Sequence, residues 1–183
     1  MIDAIYPVLE SQVCFPVYLS GVGIADPEYH TFRDQGLISH QILLSLEGEG
    51  VVKVDGKTYR CKEGSVFYVA SGVVHEYYPL HKDAWKTGWV VFRGQYIHQL
   101  MTELGFGDYF CKRPAQFDAL KRTFLHLLAE AKDKNPVEKE ERCALLVYRY
   151  IMELRRYALL NVAADETSVI SRAKKYINAQ YAQ

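Results

Sequence analysis

HQILLSLEGEGVVKVDGKTYRCKEGSVFYVASGVVHEYYPLHKDAWKTGWVVF, residues 40–92, decides the fold of this 183-residue chain. Short apolar runs alternate with glycine turns at regular spacing, the pattern of a small β-barrel built of hairpins. In the first run His40, Ile42, Leu44 and Leu46 face one way, and Gln41 and Ser45 the other. Leu43 breaks that second, polar set. Val51 to Val54 leads into Asp55-Gly56, a type I′ hairpin signal, and Lys57 to Arg60 return. Further strands are expected over residues 64–69, 74–78 and 88–93.

The length suits one domain with a sizeable core. Hydrophobic residues make up 49% of the chain, which is a globular composition. The 22 basic and 22 acidic residues cancel. Phosphate binding needs clustered Lys and Arg, so this chain is a poor DNA-contacting surface by itself. The opening MIDAIYPVLES lacks the basic and apolar regions of a signal peptide. No apolar stretch is long enough to span a membrane. Cys14, Cys61, Cys111 and Cys143 fall in no metal-ligand spacing and are read as reduced thiols of a cytoplasmic protein.

Beyond residue 95 the periodicity becomes helical. Helices are expected over residues 96–104, 114–132 and 136–160, the last with Asn135 as N-cap. The last helix carries two apolar stripes. One contains Leu145, Tyr148, Met152, Arg155 and Leu159. Its neighbour contains Ala144, Val147, Ile151, Leu154 and Ala158. Two stripes imply two surfaces to bury, one on the barrel and one on a second copy of the chain. The alternative is that both pack within one monomer. Residues 161–165 read as a linker and 168–181 as a further amphipathic helix.

Two groups of residues could carry chemistry. His40, Glu47 and His75 supply the ligand count of a two-histidine, one-carboxylate metal site. Against it, Glu47 lies beside Gly48 in a turn, and alternation puts it on the face opposite His40. Arg33, His75, Tyr77 and Trp89 form the second group. His75 and Tyr77 share a strand face, as do Trp89 and Val91. A ring that stacks on apolar C–H groups, with a guanidinium fork beside it, suits a small polyhydroxyl or carboxylate ligand. The alternative makes Trp89 plain core and Arg33 a solvated charge.

Gly64, Ala70, Gly72 and His75 form G-x5-A-x-G-x2-H, which resembles the second motif of the cupin barrels. His40-x-Ile42-x4-Glu47 resembles their first motif with one histidine lost. Gly48-Glu49-Gly50-Val51-Val52-Lys53, Cys61-Lys62-Glu63-Gly64 and Gly72-Val73-Val74-His75-Glu76-Tyr77 resemble the AraC family of transcription regulators, as does the W-x3-W-V-x-F of residues 85–92. The resemblance implies a mainly β fold with added helices. Residues 1–95 would form a cupin-like double-stranded β-helix barrel, and 96–161 a helical dimerisation segment packed on it. Residues 162–183 would form a linker and the first helix of a truncated helix-turn-helix domain. It implies no enzyme activity and no cofactor. It implies a small-molecule effector, a sugar or sugar derivative, held by Arg33, Tyr77 and Trp89, with His75, Thr87 and His40 nearby. It also implies a homodimer, and DNA contact only through helix-turn-helix motifs absent here. Thr87 replaces a family histidine, and residues 1–10 show no clear match to the family's ligand-covering arm. A metal-dependent cupin enzyme and a ligand-free dimerisation module remain the competing readings.

Overall fold

The computed structural model describes residues 2–8, 14–81, 84–133 and 138–160. The expected Asn135 cap and the 168–181 helix lie outside them. Nine strands build two sheets. In chain order they are β1 (Ile2–Ile5), β2 (Tyr18–Ala25), β3 (Thr31–Arg33), β4 (His40–Val54), β5 (Lys57–Lys62), β6 (Val66–Val69), β7 (His75–Pro79), β8 (Trp85–Arg93) and β9 (Tyr109–Lys112). Three helices follow the main run of strands: α1 (Ile97–Glu103), α2 (Phe117–Lys132) and α3 (Lys139–Leu154), the last prolonged by a π-helical turn over Arg155–Leu159.

The stretch expected to hold two strands is one, β4, fifteen residues long. Its first half pairs with β6 and β8, its second half with β5 and β7. It therefore belongs to both sheets. Gly48 marks the crossing, with φ +69° and no room for a side chain: a Cβ there would lie 1.8 Å from the Ala84 carbonyl oxygen. Asp55 and Gly56 both have positive φ, as a type I′ turn requires.

One sheet runs β1-β2-β8-β4-β6-β9, and the other joins β5, β4, β7 and β3. Between them lies a core of Leu43, Val52, Val54, Phe67, Val69, Tyr77, Trp85 and Trp89 among others. The outer face of the first sheet carries Ile42, Leu44, Val90 and Phe92. It packs against Leu120, Phe124 and Leu127 of α2 and Val147, Ile151 and Leu154 of α3. Both faces of β4's first half are thus covered, which is why Leu43 interrupts the polar set: its side of the strand faces the core between the sheets.

The structure departs from the sequence expectations at three places. Residues 109–112 fall in the half read as helical, yet they form β9 and pair with β6. Residues 2–5, for which no separate strand is expected, form β1 and pair with β2. The second helix begins at Phe117 rather than Pro114, with Gln116 at its cap. Among the described residues no helix is long and apolar enough to cross a membrane.

Candidate functional site

A cavity of about 320 Å³ opens at one end of the space between the sheets. Arg33, Tyr77 and Trp89 line it together, from β3, β7 and β8. The pairing brings them there. Thr31 faces Tyr77 and Arg33 faces His75 across β3 and β7, while Trp89 pairs with Leu43 of β4 and Gly23 of β2. Gln41, Val91, Glu28, Tyr29 and Leu37 also line it. Tyr6, just past β1, closes over Trp89 with ring centroids 5.5 Å apart. The expected combination of aromatic plane and guanidinium is therefore present, with a carboxylate and an amide added.

Glu28 is the residue that sequence reasoning missed. It is 4% exposed. The Tyr29 backbone N–H donates to its Oε1 at 3.0 Å, and the Thr87 hydroxyl donates to its Oε2. Burial raises its pKa, and those two donors and Arg33 oppose the rise. Thr87, expected near the ligand, is not among the residues lining this cavity and meets it through Glu28. Arg33 Nε and Gln41 Oε1 are buried and lack a hydrogen-bond partner among the described residues. Such groups are costly to leave unpaired, and here they gather around one cavity. His75 sits just beside it, stacked on Tyr77 at 6.1 Å, its Nδ1 bonded to the Val73 carbonyl at 2.7 Å. Burial lowers its pKa, so the neutral ring is favoured.

The profile of the AraC-like ligand binding domain matches residues 21–147, more than half of the chain. The chain belongs to the AraC-like ligand binding domain family. Among solved structures it is similar to the AraC-like transcriptional activator CuxR, with TM-score 0.56 and 13% identity over 98% of this chain and 70% of that one. It is also similar to apo ToxT K231A from Vibrio cholerae strain SCE256, with TM-score 0.52 and 8% identity over 88% of this chain. At these identities the likeness is one of fold. The chain spans 65% of the ToxT length. No curated protein matches the sequence significantly.

In this AraC-like domain the proposed metal ligands do not converge. His40 points away from the cavity, toward the helices, with its Nδ1 bonded to Tyr68 Oη at 2.8 Å and its ring stacked on Phe92. Glu47 is displaced by a bulge: β4 steps from Ser45 to Glu47 while β8 steps from Thr87 to Lys86. That extra residue re-aims Glu47 to solvent, where it pairs with Lys86 at 3.1 Å. Among the described residues no three His, Cys, Asp or Glu side chains cluster as a metal site would require.

His40 has a consequence for stability instead. Burial, and secondly His98, lower its pKa from 6.5 to about 4. Between those values the unfolded chain binds this proton and the folded chain does not. Stability is thus lost as pH falls through that window, by about 3 kcal/mol for His40. His75 acts in the same direction. We expect His40→Gln to flatten the melting temperature against pH between about 6.5 and 4, relative to wild type. An unchanged slope would refute the assignment.

The candidate dimer residues divide. Leu145 and Tyr148 are exposed, at 70% and 45%. With Phe15, Pro16, Val17 and Ala144 they line an apolar groove. Met152 and Leu159 are partly buried against the domain's own core. Arg155 donates to the Leu104 carbonyl at 3.1 Å, tying α3 to the end of α1. Leu145 and Tyr148 are thus the most exposed of the five.

Proposed function

We propose that this domain senses a small-molecule effector for an AraC-type transcription regulator. The effector is a sugar or sugar derivative. The observation that carries the reading is the convergence of Arg33, Glu28 and Gln41 with Tyr77 and Trp89 on one cavity. A sugar presents hydroxyls that both donate and accept, so it can satisfy a guanidinium, a carboxylate and an amide at once. Its C–H face suits the indole. Tyr6 lies over Trp89, so a ligand that takes that face also acts on the N-terminal strand. By favouring one arrangement of that strand, the effector would shift a conformational equilibrium and reposition DNA-binding domains that lie outside this chain. The domain would work in the cytoplasm, which fits four free cysteines.

Thermal melting with a panel of sugars, sugar acids and amino sugars tests this. A ligand at about 100 times its dissociation constant adds roughly 2.7 kcal/mol, or roughly 5–10 °C for a domain of this size. A flat panel from which Trp89→Ala is indistinguishable would favour a ligand-free dimerisation module.

The domain would act as a homodimer through the groove that holds Leu145 and Tyr148. Burying two large exposed side chains in a mutual contact is favourable, and a charge there is not. Leu145→Glu should give a monomer in sedimentation with an unchanged melting temperature at low concentration. A dimer that survives Leu145→Glu and Tyr148→Glu would rule out this surface.

A further inference from the structure

Cys61 on β5 and Cys111 on β9 are fifty residues apart in sequence, yet their sulfurs are 3.2 Å apart. Both are free thiols. Their strands are the outer strands of different sheets: among the described strands β5 pairs only with β4, and β9 only with β6. No backbone ladder joins β5 to β9. Side chains bridge that seam instead. Lys57 Nζ donates to the Tyr109 hydroxyl at 2.8 Å, that hydroxyl donates to Asp55 Oδ2 at 3.0 Å, and the Tyr59 and Tyr109 rings meet edge to face.

We infer that Cys61 and Cys111 are an oxidisable dithiol, a modification site where a hydroperoxide makes a disulfide that joins the edges of the two sheets. A disulfide needs the sulfurs at about 2.05 Å, so the closure required is small, roughly 1.2 Å. The two thiols are not equivalent. Cys61 is 2% exposed, while Cys111 is partly exposed. The Cys61 thiol donating to it lowers the pKa of Cys111, and that same bond together with burial raises the pKa of Cys61. Cys111 is therefore the attacking sulfur. Its thiolate displaces hydroxide from hydrogen peroxide and becomes a sulfenic acid. The Cys61 sulfur then attacks that sulfenic sulfur and releases water. In sum two thiols and one peroxide give one disulfide and two waters, and a small thiol reductant reverses the change by exchange.

The test treats the purified protein with hydrogen peroxide on a Cys14→Ser background, which removes the exposed thiol. The expected product has lost two hydrogens and yields one cross-linked peptide pair, Cys61 with Cys111. Its melting temperature should rise by roughly 5–10 °C and return on reduction. Cys111→Ser should abolish the cross-link. Cys61→Ser should leave a sulfenic acid on Cys111 that a dimedone probe captures. If the Cys14→Ser protein instead gains two oxygens at Cys111 with no cross-link, or pairs either cysteine with Cys143, the assignment is wrong. Because the cross-link is read on the Cys14→Ser protein, which keeps both Cys61 and Cys111, a failure of Cys61→Ser or Cys111→Ser to fold does not obscure the result.

Discussion

Arg33→Ala is expected to weaken effector binding by roughly 10- to 100-fold while leaving the melting temperature of the free protein within about 2 °C. A hydrogen bond to a charged group is worth roughly 1.5–3 kcal/mol, which sets that range. Arg33 lies at the cavity wall on the short strand β3, partly exposed, with its Nε buried and lacking an acceptor among the described residues. Removing it therefore takes little from the fold and much from the ligand. Arg33→Lys should be intermediate, because lysine keeps the charge but not the paired donors. Glu28→Gln then separates ligand classes. Against a hydroxyl it exchanges one acceptor for an amide and costs little. Against an ammonium it removes the counter-charge and costs much more. Calorimetric titration of the three variants measures all of this. Unchanged affinity in Arg33→Ala would remove the arginine from the site.

Trp85→Ala should be the most damaging single change, destabilising by about 3–5 kcal/mol and lowering the melting temperature by roughly 10 °C or more. Trp85 is 1% exposed. Its indole N–H donates to Ser45 Oγ at 2.8 Å, and its ring meets Tyr77 edge to face at 6.3 Å. Truncation would leave both a cavity and an unpaired hydroxyl. Gly50 exists to admit this ring: a Cβ there would come within 2.2 Å of it. Gly50→Ala should thus destabilise the wild type and cost clearly less in Trp85→Ala. The cycle of two single variants and one double measures that coupling. Additive effects would show that the glycine is there for another reason.

Much of this was legible in residues 40–92 because that stretch is locally self-consistent. The Asp55-Gly56 turn sets its own hairpin, and period-2 alternation separated His40 from Gln41 correctly. What escaped has physical reasons. In β2, Gly21 and Gly23 weaken the strand pattern, yet they let Tyr6 and Trp89 lie flat on it. The four residues of β9 follow a helix and take their structure from β6, which lies about forty residues earlier. Gly48 beside it allowed Glu47 to be read as turned outward, but the bulge that does so arises from pairing with β8, which lies about forty residues on. Glu28 is set by Thr87, fifty-nine residues away. Arg33, Tyr77 and Trp89 could be grouped as candidates from residue type and strand alternation, but only the family resemblance favoured a ligand site over the alternative of core and solvated charge.

The placement of the two tryptophans gives the protein its own optical gauge. Trp85 and Trp89 are the only indoles in the chain and stand four residues apart on one strand. Trp85 is sealed between the sheets with its N–H bound to Ser45, whereas Trp89 lines the cavity under Tyr6. Emission from Trp85 should therefore stay constant when effector enters and change only on unfolding. Emission from Trp89 should respond to both. With Trp85→Phe isolating one signal and Trp89→Phe the other, occupancy and integrity of the domain can be followed separately, without a label.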